Sequence, residues 1–562
     1  MKHLLRGLLV FHFSFFTFHY SNAQFTHADT LRGTNGPGRD WWDVLSYNVN
    51  VEFNLEDSTI SGYNNIEFRV LKNKGYIQID LQSPLMIDSV QHSFPSSVNK
   101  PGMTKIYGTA MYYKGDIKND GNAYFINIGT HKPKTTEYLT IYYHGKPRIA
   151  IHPPWDGGLI WKRDKNNNPW ISVACQGLGA SAWYPCKDYQ GDEPDKGASF
   201  TTTLPDSLTV VSNGRLIGKR SREGITTTTW EVKNPINSYN LVPYIGKYVH
   251  FGETYKGLKG NLDMDYWVLD YNLEKAKEHF KDAKRMMKAF EYWFGPYPFY
   301  EDGYKLIDAP HLGMEHQSGI AYGNAYLNGY HGQDLSNSGW GLKWDFIIIH
   351  ESGHEWFGNN ITTKDIADMW VHESFTNYSE TLFTEYYYGK EAANTYVQGT
   401  RANIENKNPI ISSYGVNKES ETTDMYYKGA NMIHTIRQII NNDSLFRKIL
   451  TGMNKTFYHK TVTTKEIENY ISKQSKINFS KVFDQYLRNI EIPILEYKID
   501  GYKLQYRWTN CVKGFNMPLK INFKTSQWIK PTETWKTLKS YPEGDPNFAV
   551  DKNFYINTKK VE

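Results

Sequence analysis

Cysteine is nearly absent: the chain has three in 562 residues, Cys175, Cys186 and Cys511. Three is an odd number, too few for a disulfide framework, and none has metal-ligand spacing. The fold must therefore rest on buried apolar cores, with the cysteines read as small buried hydrophobes and a bridge between Cys175 and Cys186 left open. An excess of one charge is also missing. Lys and Arg number 64 against 59 Asp and Glu, a net +5, which gives no overall pull towards nucleic acid. There are no internal repeats, no low-complexity linkers and no apolar run of membrane length. The most apolar stretch, residues 7–20, is broken by His12, Ser14 and His19 and falls short of the roughly 20 residues that a span needs. Lys2 and Arg6 precede it without an acid, and Ser21, Asn22 and Ala23 follow, the make-up of a signal peptide over residues 1–23 cleaved after Ala23. The mature chain is expected to lack a transmembrane segment and to be exported to the periplasm or the extracellular space. Nothing in the sequence speaks to oligomeric state.

What is present is 40% hydrophobic and 15% aromatic, enough to fill several cores, and at roughly 150 residues per domain the length implies three or four units. Apolar residues alternate at Tyr47, Val49, Val51 and Phe53, again at Ile66, Phe68 and Val70, and at Leu139, Ile141 and Tyr143, a period of two that means half-buried strands. The Thr-rich runs near residues 201–204 and 225–232 continue it to about residue 250. The period then changes. Leu273, Ala276, Phe280, Ala283, Met287, Phe290 and Phe294 step by three and four until Gly295 and Pro296, an amphipathic helix with a clear stop. Helical spacing returns near 345–357, 368–388, 424–441, 464–473 and 479–488, with Thr463 and Glu466 spaced as a capping box. After Pro493 alternation resumes at Leu495, Tyr497 and Ile499, at Tyr502, Leu504 and Tyr506, and at Leu519, Ile521 and Phe523. These changes of period predict a multidomain α+β chain: a β domain over 24–252, a mainly helical domain over 253–492 and a small β domain over 493–562.

The chemistry is concentrated in Ile347-Ile348-Ile349-His350-Glu351-Ser352-Gly353-His354-Glu355-Trp356-Phe357. Two histidines four apart lie on one face of a helix and hold one metal ion together. Chance would produce His-Glu-x-x-His about 0.03 times in such a chain, so the motif carries weight. A catalytic zinc takes three protein ligands and keeps a fourth position open. Glu373, 19 residues after His354 on a second predicted helix beyond Asn359-Asn360 and the turn at Thr362-Thr363, suits the third place. His372 competes for it, but lies about 100° round that helix.

This segment resembles the gluzincins, and specifically the M1 metallopeptidases of the aminopeptidase N and leukotriene A4 hydrolase type, whose pattern is His-Glu-x-x-His, 18 residues, then Glu. Trp356-Phe357-Gly358-Asn359 and Trp370 resemble the family's flanks. Gly313-Met314-Glu315-His316-Gln317 resembles the exopeptidase motif Gly-x-Met-Glu-Asn, and Tyr426-Tyr427-Lys428-Gly429-Ala430 resembles Tyr-x-Lys-Gly-Ala. Cys175-Gln176 with the segment from Trp183 to Asp188 is similar to the stretch that supplies a substrate-facing Gln or Glu. The resemblance covers most of residues 40–500. It implies a saddle-like N-terminal antiparallel β domain, a thermolysin-like catalytic domain and a β-sandwich-like C-terminal domain, without the large helical C-terminal domain of many relatives. It also implies a zinc aminopeptidase with one Zn2+ per chain on His350, His354 and Glu373, acting on peptides with a free N-terminus. In that reading Glu351, between the two histidines, is the general base for water. Tyr426 stabilises the oxyanion, with Tyr427 its decoy. Glu315, with Gln176, Gly313 and Met314, binds the substrate and its ammonium group.

Two departures bear on subsite shape: Leu312 stands where the motif has its first Gly, and His316 where it has Asn. Three rival functions share parts of the pattern. One is endopeptidase action by a gluzincin. Another is epoxide hydrolysis, for which the relevant relatives carry an Asp eight residues before the tyrosine, where an ungapped count finds Lys418. The last is zinc-bearing peptide binding without turnover, for which a base would be superfluous.

Overall fold

Alternation in the first strands is realised as burial. Tyr47, Val49, Val51 and Phe53 all face inward along Trp42–Asn54, which pairs antiparallel with Thr59–Val70 in the register Tyr47 to Ile66. In the computed structural model, which describes residues 25–95, 107–500, 503–523, 525–539 and 548–562, these two strands lie at the middle of an eight-stranded sheet. Its order is Arg215–Arg222, Ile225–Val232, Ala198–Pro205, Trp42–Asn54, Thr59–Val70, Thr136–Gly145, Met86–Pro95, Tyr107–Tyr113. The predicted signal peptide lies outside the described residues. The sheet departs from the antiparallel expectation at one pair, Trp42–Asn54 with Ala198–Pro205, which run parallel with Tyr47 opposite Ala198. More than a hundred residues separate these strands, so no hairpin forces them to run in opposite directions. Two strands of that excursion, Pro169–Ala174 and Gly158–Arg163, join two later ones in a four-stranded sheet in the order Thr209–Val211, Tyr244–Gly246, Pro169–Ala174, Gly158–Arg163. The end of Pro169–Ala174 delivers Gln176 and Gly177 to the surface shared with the next unit.

The change of period after residue 250 corresponds to a second core. A mixed five-stranded sheet runs from Tyr248–Gly257 to the short strand Gly313–Met314, and helices pack on it. The run predicted as one helix over 273–294 divides at Phe280 into Leu273–His279 and Lys281–Phe294, and ends at Gly295 with φ of +93°, a conformation that favours glycine. Phe346–Gly353, Trp370–Tyr388, Tyr427–Ile440, Thr464–Ser475 and Ser480–Leu487 are helical, and the capping box at Thr463 and Glu466 is formed in both directions. The helices Lys390–Gly399 and Asp443–Thr456 had not been singled out in the sequence. Each follows its predecessor after only a residue or two, Gly389 at φ +90° and Asn441-Asn442, so the two members of each pair run together as one helical stretch of sequence. Between Asn360 and Trp370 the chain inserts a strand, Ile361–Thr363, parallel to Lys460–Val462, where a plain turn was expected. Leu495, Leu504, Trp508, Leu519 and Ile521 from the C-terminal strands join the same continuous core as Phe479, Phe483 and Tyr486. No described helix is long and apolar enough to cross a membrane. The cysteines are free thiols, Cys175 and Cys186 buried in the β unit.

Three helices meet at unusually short range. A Cβ at Gly353 would stand 2.6 Å from Ser379 Oγ, and one at Gly429 only 1.8 Å from Ser374 Oγ. Phe346–Gly353 and Tyr427–Ile440 therefore both lie directly against Trp370–Tyr388, where helix propensity alone would disfavour glycine. Gly429→Ala should cost about 1 to 3 kcal/mol by overpacking and lower the midpoint of thermal unfolding. Adding Ser374→Gly, which removes the opposing Cβ, should recover part of that loss; an unshifted midpoint in the single variant would show that the helices have room to spare.

Candidate active site

Phe346–Gly353 starts at Asp345, whose side chain accepts from the Ile348 amide at 3.0 Å, and all eight of its residues are buried, Ile347, Ile348 and Ile349 in the apolar core. His350 and His354 are thereby turned together towards Trp370–Tyr388. Their Nε2 atoms lie 3.7 and 3.4 Å from Glu373 Oε2, too far for good hydrogen bonds, and that oxygen is buried without a hydrogen-bond partner. Two atoms bound at about 2.0–2.1 Å to one tetrahedral zinc stand roughly 3.3 Å apart, so the spacing fits an ion between them. The far sides of the rings are held as metal-binding imidazoles require. His350 Nδ1 meets Glu380 Oε1 at 2.7 Å, and His354 Nδ1 meets the Phe357 carbonyl at 3.0 Å. Glu380 is in turn held by Asn377 at 2.9 Å and Tyr396 at 2.6 Å. Burial alone would raise the Glu373 carboxyl, but the charges and hydrogen-bonding capacity of His354 and His350 outweigh it and hold it well below the usual range. His372, the competitor, is turned away: its Nε2 accepts from the Thr363 amide at 2.9 Å, and burial drives its pKa down to about 3.

Glu351 projects between the ligands into a cleft of about 710 Å3. Burial, reinforced by Glu315 and Glu373 and opposed by His350 and His354, pushes its carboxyl up to about 7. Gly313 is what admits it: a Cβ there would stand 3.0 Å from Glu351 Oε1 and 2.8 Å from Ile347 Cγ2. One residue beyond Gly313–Met314, Glu315 enters the same space, and Glu315, Glu351 and His354 bring ligand-type atoms within 4.8 Å of one another. That second triad is a poorer metal site, because Glu315 Oε1 is already bonded, to Gln176 Nε2 at 2.5 Å and Tyr239 Oη at 2.9 Å. Asn359 Nδ2 holds the Glu315 carbonyl at 2.8 Å, and Asn240 holds Asn359 at 2.7 Å.

Both tyrosines line the cleft, but they face different charges. Burial and then Glu373, Glu419, Glu315 and Glu351 raise the Tyr426 hydroxyl, whereas after burial Tyr427 responds to Glu380 and Tyr330. The Tyr426 ring lies 6.0 Å from that of His350. Lys428 is structural, its Nζ donating to the Asn489 carbonyl at 2.8 Å. Of the two departures, Leu312 lines the cleft, while His316 turns away with Nδ1 2.5 Å from Tyr244 Oη. Lys418 pairs with Glu421 at 3.0 Å, and its neighbour Glu419 lines the cleft instead. Glu380, Tyr239 and Glu419 were missed in the sequence. Only Glu380 left a signal, seven residues after Glu373 and so on the same helical face.

The model of the peptidase M1 N-terminal domain matches residues 44–240 and that of the peptidase family M1 domain matches residues 278–486. The chain is 22% identical over 458 residues to the probable aminopeptidase 2 of Sulfurisphaera tokodaii, covering 78% of this chain and 54% of that one. It is 23% identical over 338 residues to aminopeptidase N of Lactococcus lactis, covering 56% and 38%. The chain thus spans about half or less of the length of these curated relatives. The crystal structure of an M1 zinc metallopeptidase from Deinococcus radiodurans superposes with a TM-score of 0.62 at 19% identity, over 78% of this chain and 91% of that one, and so shares its fold. With both domain models matched in order over most of its length, the chain belongs to peptidase family M1.

Proposed function

We propose that this chain is a secreted, zinc-dependent aminopeptidase that removes N-terminal residues from peptides. One observation carries the reading: Glu315, Glu351 and His354 converge within 4.8 Å beside the empty-handed oxygen of Glu373, so an amine anchor, a base and a metal site share one small space. Names of relatives such as aminopeptidase N agree with it.

Zinc held by His350, His354 and Glu373 supplies Lewis acidity, which polarises a carbonyl and makes water easier to deprotonate. The chain's own groups do the rest. Glu315, fixed through Oε1 by Gln176 and Tyr239, takes the substrate's ammonium group by charge-assisted hydrogen bonds. That contact places the first peptide bond, and no later one, beside the triad. Glu351 removes a proton from the attacking water and returns it to the leaving amine. Tyr426, kept protonated by burial and its acidic surroundings, donates to the oxyanion that develops on the carbonyl. Gly313 and Met314 form the strand edge along which the peptide backbone lies.

Export is proposed from residues 1–23 alone, and the mass of the secreted chain tests it, with Gln24 expected as the first residue. His354→Ala should lose bound zinc by metal analysis, and Glu380→Gln should weaken zinc binding by about 10- to 100-fold; full zinc occupancy in His354→Ala would exclude this ligand set. Glu351→Gln should retain zinc yet turn over aminoacyl reporter amides on the order of 10²-fold more slowly or worse. Tyr426→Phe should lower kcat by roughly 10²- to 10³-fold, and a larger loss in Tyr427→Phe would reassign the oxyanion donor. Acetylating the substrate's amine should abolish cleavage. A wild-type enzyme that cuts the acetylated peptide internally as fast as it trims the free one would be an endopeptidase.

A further inference from the structure

Among the described residues that line the cleft, Glu405, Glu419 and Glu421 are carboxylates that peptide hydrolysis does not use. Glu419 sits on the loop between the helices Lys390–Gly399 and Tyr427–Ile440, and that loop is anchored. Asp424 accepts from the amides of Glu405 and Asn406, both at 2.8 Å, and Ser420 Oγ donates to the Pro409 carbonyl at 2.7 Å. Asn417 Nδ2 donates to the Gly177 carbonyl at 3.0 Å, and Arg32 reaches the same oxygen at 3.3 Å. Glu419 Oε1 consequently lies 3.2 Å from the point where a side chain on Gly177 would begin. Gly177 directly follows Gln176, the residue that holds Glu315, so the carboxylate stands over the backbone next to the amine anchor.

Its neighbours on the loop are neutralised and it is not. Glu421 pairs with Lys418 at 3.0 Å and Glu405 with Lys407 at 3.4 Å, whereas Glu419 makes no hydrogen bond or ion pair with any described residue. Among the described residues, no Lys or Arg lines the cleft. Glu419 is half-buried, and a carboxylate in that position can take a cationic partner by charge-assisted hydrogen bonds. Burial, with the Glu373 and Glu315 charges adding to it, pushes the Glu419 carboxyl up to about 7, which marks a position short of positive charge. Among the described residues Glu419 is outside every three-residue group whose donor atoms converge as metal ligands do, so a single cationic side chain suits it better than a metal ion.

We propose that Glu419 closes the subsite for the substrate's first side chain and selects peptides that begin with a cationic residue, Arg above Lys. The assignment rests on the aminopeptidase reading, because the ammonium group at Glu315 is the point from which the first side chain is placed. Glu419 Oε1 stands over Gly177, next to the Gln176 that holds Glu315, which places it beside the residue that precedes the scissile bond. The long apolar stem of Arg suits a cleft walled by Leu178 and Met425, and its planar fork can engage both carboxylate oxygens where an ammonium offers a point charge.

Arginyl and citrullinyl reporter amides test this, because citrulline keeps the shape of arginine without its charge. The wild-type, zinc-loaded enzyme should favour arginyl over citrullinyl by about 10- to 100-fold in kcat/KM, with lysyl between them. In Glu419→Gln, with zinc content measured alongside, that ratio should fall close to one. Free arginine should also inhibit leucyl-amide turnover by the wild type far better than free citrulline does, a measurement that needs no variant. A wild-type ratio near one, or a ratio unchanged in Glu419→Gln, overturns the proposal while leaving the aminopeptidase intact. Zinc-loaded enzyme that cleaves none of these amides overturns both readings together.

Discussion

Close approach of three helices is the constraint on which the site depends. Gly353 and Gly429 leave no side chain where Phe346–Gly353 and Tyr427–Ile440 press on Trp370–Tyr388, and that contact brings His350, His354, Glu373 and Tyr426 round one point. The energetic cost falls on the polar groups. Glu373 Oε2 is buried with two imidazole nitrogens near it and no hydrogen bond, a state that a protein interior tolerates only if a cation compensates it. The packing that buries this oxygen is thus the same packing that leaves it suited to a cation.

The second dependence is between units. Glu315 belongs to the catalytic unit, but Gln176 and Tyr239, which fix its Oε1, come from the β unit, and Asn240 reaches across to Asn359, which holds the Glu315 backbone. The group His350, His354 and Glu373 is internal to the helices, while the hydrogen bonds that hold the Glu315 carboxylate form only where the two units meet. Two buried cores meet along this boundary, with Met314 of the catalytic sheet packed into the core of the β unit. The cleft is accordingly a junction, with His350, His354 and Glu373 on one wall and Gln176 and Glu315 on another.

Much of the site was legible in one dimension because helical geometry is local. A spacing of four from His350 to His354, and of seven from Glu373 to Glu380, places side chains on shared faces whatever the rest of the chain does. The capping box at Thr463 and the stop at Gly295 are local in the same sense. The parallel pairing of Trp42–Asn54 with Ala198–Pro205, and the strand Ile361–Thr363 where a turn was expected, depend on partners more than ninety residues away, and no window of sequence contains both halves.

The sequence by itself determined the period of each segment, the spacing of His350, His354 and Glu373, and the matches that single out Glu315 and Tyr426. Tertiary structure alone decided which side chains share the cleft. Gln176 and Glu315 are 139 residues apart and 2.5 Å from contact to contact; His316 lies beside Glu315 in sequence yet points elsewhere; Glu419 rather than Lys418 enters the cleft. The reason is physical: helix and strand periodicity fix directions over a few residues, whereas a cleft between two cores is assembled by long-range packing, and only that packing settles which charges are left there without a partner.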